Sequence, residues 1–551
     1  MSKEGEFQDE VEVPGVTATE AEINARAAQM AAHKDGYRAA FKRYPKIFFW
    51  IGVMLWMLIL MGFDNSAGGQ VLSIPKFREN FGGGLFVDGN FLLSASWQSA
   101  IQAGPTAMNV VGLYVGSYTA DHLGKRIVLF AAICISFAAI GVEYSCKTIE
   151  TFFAGKMVNG FALGIMSALC VSYVAEISPL SIRGIATGCC NLSQTIGPFI
   201  GSILGNYVGT KNNDWSYKSL FVAQWLFGGI AILVQPWMPE SPAFYLKKGK
   251  EDKARKQLRR LCSNEEDAED QLNVLKITLY EAEQLYNGGS YIQCFKGTNL
   301  RRTLLAGLVF FTHPMSGVSF NSSYGPFIYQ LIGISAQESF RIGIGAQVLS
   351  MGGTIASFFI IDRFGRRPLI LCGLTALMIN LLCTGITGTQ SQHSAAARTA
   401  CVAFLTMFNF WYNGGIGAIA YAIASEIPTS VLRTKTVAIA LSVNQGFGTM
   451  WTFVLPFIIN PNEGNLGPKV GFIFFALSMI NLVLLYLFLP EIAHRTFEEL
   501  DELFANHVPA REFKKYITAA EVKAEQAFNQ KGIADGTINE KQQDIEMVEH
   551  A

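Results

Sequence analysis

What limits this chain first is how its charges are spaced. Between Ile47 and Met238 only nine basic and eight acidic residues occur, most of them at the ends of long apolar runs. A run of roughly 20 apolar residues is what it takes to cross about 30 Å of hydrocarbon. Backbone in lipid must satisfy its own N–H and C=O groups, so runs of this kind fold as helices. Twelve spans follow: 47–63, 93–118, 127–145, 152–175, 185–208 and 219–238, then 303–330, 341–361, 368–388, 399–424, 436–459 and 470–489. The expected fold is all-α, with twelve transmembrane helices in two pseudo-symmetric six-helix bundles.

Composition agrees. Half of the 551 residues are hydrophobic and 16% are charged, against roughly 25% in soluble domains. That hydrophobicity excludes a disordered chain. Lys and Arg together number 43, as do Asp and Glu, so the basic surface of a nucleic-acid binder is missing. The ten cysteines show no metal-ligand spacing and read as small buried residues, the adjacent Cys189 and Cys190 included. No cofactor or metal site is expected. Glycosylation sequons at Asn191 and Asn321 fall inside apolar spans and are discounted. The first 46 residues are polar and lack the pattern of a secretory leader.

Five segments result: a polar tail over 1–46, a bundle over 47–238, a charged linker with short helices over 239–302, a second bundle over 303–490, and a tail over 491–551. Basic residues near span ends gather on one side. Lys125/Arg126, Arg183, the linker, Arg363/Arg366/Arg367 and Arg433/Lys435 fall together if the spans alternate. The positive-inside bias then puts both termini and the linker in the cytoplasm.

The two bundles also share a plan. AspHisLeuGlyLysArg at 121–126 recurs as AspArgPheGlyArgArg at 362–367. GluIleSerProLeuSerIleArg at 176–183 recurs as GluIleProThrSerValLeuArg at 426–433, and ProGluSerPro at 239–242 is echoed by ProGluIleAla at 490–493. The offsets are 241, 250 and 251 residues, in order, each at a basic-side loop. Repeats of this kind place a substrate site near the membrane midplane, between halves that rock about it.

Taken together these motifs resemble the major facilitator superfamily, and within it the sugar porter family, over about residues 45–505. The run GluIleProThrSerValLeuArgThrLysThr at 426–436, TrpSerTyr at 215–217 and ValProAlaArgGluPhe at 508–513 are similar to fungal α-glucoside permeases. The resemblance implies a cytoplasmic gate built from Asp121, Arg126, Glu176, Arg183, Glu240, Asp362, Arg366, Arg367, Glu426, Arg433 and Glu491. Ion pairs that break and reform among them would serve as a bistable element; otherwise they only anchor topology.

Asp64 lies in span one, and an intramembrane carboxylate marks function by default. The family pairs such an Asp with a basic residue of span four for proton coupling. Lys156 stands there, where many relatives carry Arg and α-glucoside permeases often carry Glu. A static Asp64–Lys156 pair is the plainer alternative. For sugar binding the resemblance implies Asn191 and Gln194 in span five, His313 and Ser319 in span seven, Ser350 in span eight, Tyr421 in span ten and Asn444 in span eleven. His313 could instead be a structural group bonded to a backbone carbonyl. Tyr324 matches an outer-gate aromatic. The Gly runs at 82–84 and 343–345 lack the context of a phosphate loop. The implied protein is a monomeric, multi-pass sugar:proton symporter of the plasma membrane, and not an enzyme. An uncoupled facilitator or a transporter-like sensor is the alternative.

Overall fold

The computed structural model describes residues 43–518 apart from 84–85, 88–89, 179, 263, 266, 270, 274, 277–290, 392, 430–431, 493–494, 496, 514–515 and 517. Most of both expected tails and the middle of the linker lie outside the described residues.

Among the described residues twelve spans are present. Those of the first half are Pro45–Ser73, Ala95–Leu123, Lys125–Ser145, Ile149–Ile177, Leu180–Val208 and Trp215–Val234. In the second half, span seven comprises Gly297–Met315 and Val318–Leu331, followed by Ala336–Phe364 and Arg366–Gln390. Span ten is Ala395–Tyr412, a π-helical turn over Asn413–Gly417 and Ala418–Glu426. Spans eleven and twelve are Arg433–Ile459 and Val470–Phe488. Among the described residues the only strands are two-residue pieces in which Phe86 pairs with Phe91.

Packing repeats between the halves. Spans one and five, two and four, three and four, and three and six pack together. Their counterparts, seven and eleven, eight and ten, nine and ten, and nine and twelve, do the same. The halves meet where span two lies on span eleven and span five on span eight. Spans three, six, nine and twelve bury less than half of their most apolar stretch, whereas one, four and seven bury most of theirs. The first group faces outward, where lipid would cover it, and the second lies inside.

Two spans differ from their expected form. Span one continues ten residues beyond the run ending at Phe63, because AlaGlyGlyGln at 67–70 is buried among neighbouring helices and stays helical. Asp64 is therefore inside a helix rather than near its end. Span seven breaks at Gly317, whose φ of +86° is left-handed. Pro314 lacks an N–H to continue the helix, and a side chain at Gly317 would meet the ring of Phe474.

The linker supplies the helices Pro242–Lys247 and Glu251–Leu261. It is tied to the start of span one, where Lys46 Nζ donates to the Cys262 carbonyl at 3.1 Å and Arg43 pairs with Asp267. After span twelve, the helix Phe497–Ala505 is held by the Arg302–Asp501 pair at 2.5 Å.

The glycines of the repeated loop motif have one geometric task. Gly124 (φ +92°, ψ 152°) and Gly365 (φ +84°, ψ 170°) occupy a backbone region essentially closed to side chains. Each turn aims the first two N–H groups of the next span at a carboxylate: Lys125 and Arg126 N–H donate to Glu240, Arg366 and Arg367 N–H to Glu491. Gly365→Ala should cost about 1–3 kcal/mol from backbone strain alone, with its Cβ only 2.9 Å from Glu491 Oε2. Thermal unfolding of the purified protein should fall by several degrees. Gly345→Ala, where nothing stands within 4 Å of the new Cβ, should leave the transition in place.

Candidate functional site

Four helices of the first half converge on one buried charge cluster. Asp64 Oδ1 accepts from Lys156 Nζ at 2.6 Å and from Gln224 Nε2 at 2.8 Å, and Oδ2 accepts from Asn159 Nδ2 at 2.5 Å. Lys156 Nζ also stands 3.1 Å from Glu143 Oε2. Asn159 reaches Glu143 as well, at 3.2 Å, and accepts from Ser136 Oγ at 2.7 Å. Spans one, three, four and six thus each supply a member. Gly155 keeps span four open towards span three: a Cβ there would lie 3.0 Å from Glu143 Cγ.

Charge counting constrains this cluster. Two carboxylates share one ammonium, and all three side chains are at least nine-tenths buried. Fully ionised, the cluster would carry an uncompensated negative charge in a low-dielectric interior, which is costly. A small cavity between spans one, two and four reaches the pair, its wall including Asp64, Asn65, Gln102, Thr106 and Lys156.

The second half carries a neutral counterpart. His313 is buried against the π-helical turn of span ten. Its Nε2 lies 3.2 Å from the Ile416 carbonyl, and its Nδ1 lies 3.1 Å from the Tyr412 hydroxyl. Both ring nitrogens therefore have protein partners in this state. Tyr421 packs edge-on to Phe310, with ring centroids 5.0 Å apart, and leaves 54% of its surface exposed. Ser350 Oγ accepts from Asn413 Nδ2 at 2.9 Å. Ser319 is buried, while Asn191, Gln194 and Asn444 are half-buried. The structure brings His313 and Tyr421 side by side.

On the basic side each half has the same latch. Lys125 Nζ pairs with Glu176 at 2.6 Å, and Arg366 with Glu426 at 3.1 Å. Arg126 donates to the Pro236 carbonyl and Arg367 to that of Tyr486. Glu176 also accepts from Ser241 Oγ at 2.5 Å. Burial raises the Glu240 carboxyl above its ordinary range, although N–H donors from Ser241, Arg126 and Lys125 pull it back. Asp121 is exposed, and Arg433 is half-buried. The side chains of Arg183 and Asp362 lie outside the described residues.

The opposite end joins the halves to each other. Arg78 Nη2 donates to Gln330 Oε1 at 2.7 Å, and Gln330 Nε2 donates to the Ser73 carbonyl at 2.8 Å. Ser99 Oγ donates to the Phe453 carbonyl at 2.6 Å. Gly69 lies so close to the Ser323 carbonyl that a Cβ would stand 2.1 Å from it. Tyr324 is buried just beneath, its hydroxyl donating to the Thr452 carbonyl at 3.0 Å.

A family model described as "Sugar (and other) transporter" matches residues 50–504. This chain belongs to the sugar transporter family. A general alpha-glucoside permease of Saccharomyces cerevisiae is 30% identical over 87% of this chain and 79% of its own length. The Saccharomyces cerevisiae maltose permease MAL61 is 31% identical, over 91% and 83%. Among solved structures, a partially occluded inward open form of the xylose transporter XylE from E. coli superposes with a TM-score of 0.68 at 16% identity, covering 82% of this chain and all of that one. XylE described as a proton:xylose symporter, bound to 6-bromo-6-deoxy-D-glucose, gives 0.66 at 18%, covering 84% and 99%. The sugar transporter is thus a membrane carrier with the major facilitator fold, and not an enzyme.

Sequence reasoning named Asp64 and Lys156 but missed Glu143, Asn159 and Gln224. Glu143 had a visible signal, a carboxylate within the apolar run 127–145, but its place near the run's end made it read as a border charge. Removing the ammonium should show how the cluster is balanced. Lys156→Gln leaves two carboxylates buried without their cation, a loss of about 3–5 kcal/mol for a broken buried pair. The monodisperse fraction on fluorescence-detected gel filtration should drop sharply, and adding Asp64→Asn should recover much of it.

Proposed function

We propose that the protein imports a sugar together with a proton across the plasma membrane by alternating access. An α-glucoside disaccharide or a hexose is the proposed substrate. The observation that carries this reading is the Asp64–Lys156 pair, placed inside the membrane on the wall of a cavity. An ionisable pair inside a span is costly to keep and by default marks a proton or substrate path. Small changes in their separation between the two states of the carrier would load and unload a proton. The names of the yeast permeases favour α-glucosides, and the description of XylE as a proton symporter favours coupling.

The basic loops, the linker and both termini are assigned to the cytoplasm by the positive-inside bias. With the opposite ends of the halves joined through Arg78, Gln330 and Ser99, the conformation described here is then inward-facing. Each basic-side latch is proposed to engage the other half when the site faces outward. Sugar is proposed to bind between the halves, with Asn191, Gln194, Ser319, Ser350 and Asn444 offering amide and hydroxyl partners. The exposed ring of Tyr421 offers a stacking face, and His313 orients Tyr412 or exchanges its Ile416 partner for a sugar hydroxyl. Tyr324 would close above the substrate. Monomers suffice for this mechanism.

One observation favours an uncoupled facilitator: three donors already satisfy the Asp64 carboxylate, as a static pair would require. Uptake of labelled maltose, sucrose, lactose and glucose into transporter-null yeast separates the readings. Symport predicts accumulation that an uncoupler abolishes, and facilitation predicts equilibration that ignores it. Asp64→Asn should lose accumulation while retaining exchange of sugar across the membrane; unimpaired accumulation contradicts the proposal. His313→Ala should raise the KM for sugar about fivefold, the worth of one net hydrogen bond, at unchanged surface protein. Loss of protein alone would make His313 a packing residue.

A further inference from the structure

We infer that Glu143 is the standing counter-ion of Lys156, and that it lets Asp64 take up and release the transported proton while the lysine stays charged. The inference deepens the symport reading and rests on it.

Consider an isolated Asp–Lys pair in an apolar interior. Protonating its carboxylate would strand a bare buried ammonium, which is strongly unfavourable. Here the same ammonium has a second carboxylate 3.1 Å away on span three. When a proton from water binds an Asp64 oxygen, the acid it forms is neutral and Lys156–Glu143 remains a neutral pair. When that proton leaves for water on the other side, the excess negative charge falls on Asp64. One proton is bound and one released in each cycle, and Lys156 never has to give up its own.

The two carboxylates are not equivalent. Asp64 lines the cavity. Glu143 is fully buried and is not part of that wall. The groups facing Glu143 are Lys156 and Asn159 from span four and Asp64 from span one, with Cys146 following it in the chain. Lys218, at the start of span six, lies nearby but is engaged with Asp214 at 3.6 Å and with the face of Tyr144. A carboxylate on an outer, lipid-facing helix is expensive to keep. The missing side chain at Gly155 gives it the room to reach inward.

The test is the pH dependence of initial uptake in transporter-null yeast expressing the full chain. The probe is labelled maltose, or labelled glucose if wild type does not take maltose, with surface protein measured alongside. In Glu143→Gln the whole of Lys156 bears on Asp64 and favours its ionised form. Half-maximal uptake should move about 1 pH unit or more towards acid, and the rate should recover as the medium is acidified. Glu143→Asp, which draws the carboxylate back, should shift the midpoint less in the same direction, and it carries the test if the Gln variant fails to reach the surface. A wild-type midpoint in Glu143→Gln overturns the inference. So does an equal fractional loss at every pH in both variants, which marks a structural role. If uncoupler-sensitive uptake is absent from wild type, the symport reading falls and this inference with it; if wild type is coupled and the midpoints coincide, this inference alone falls.

Discussion

The ammonium of Lys156 is the contact on which the first half is organised. Removing a cation from water is affordable only where opposite charge and hydrogen-bond acceptors surround it. Those acceptors come from span one through Asp64 and from span three through Glu143, while Asn159 and Gln224 tie the carboxylates to spans four and six. Helices in lipid gain little from burying apolar surface against one another, so packing and internal polar contacts decide how they assemble. On the proposed symport reading, the cluster that holds the bundle together is also the group on which a proton would act.

The two halves solve the basic-side turn identically. Gly124 and Gly365 turn the chain through a conformation that only glycine adopts at little cost, and the two exposed N–H groups of the following span grip Glu240 or Glu491. An anion at a helix N-terminus is favourable in any case. The carboxylate also follows the sixth span of its half, so the turn ties the start of the third span to the end of the sixth.

Much of this was legible in the sequence, because a membrane leaves so few alternatives. The length of the apolar runs fixed the helices, and the repeated Asp-x-x-Gly, Glu…Arg and Pro-Glu motifs fixed the pairing of the halves. Asp64 stood out as a charge where none should be. Glu143 did not, since sequence distance from a span end says nothing about which way a side chain points. Asn159 and Gln224 were hidden for a related reason: an amide in an apolar run has no signature until its partner is located. The break at Gly317 had a local cue in Pro314 and Gly317 themselves, but the π-helical turn at Asn413–Gly417 packs closely on Gly353 of span eight and Gly373 of span nine, contacts that no local pattern reports.

The halves share a framework but not their contents. Charge is concentrated in the first, in the Asp64–Lys156–Glu143 cluster, while the matching region of the second holds His313, Tyr412 and Tyr421, with no acid contacting them among the described residues. On this reading the energy source and most of the recognition surface are separately heritable. Replacements on spans seven and ten would diversify which solute is carried while leaving its driving force intact, so carriers of one lineage could exchange diets without reinventing their engine.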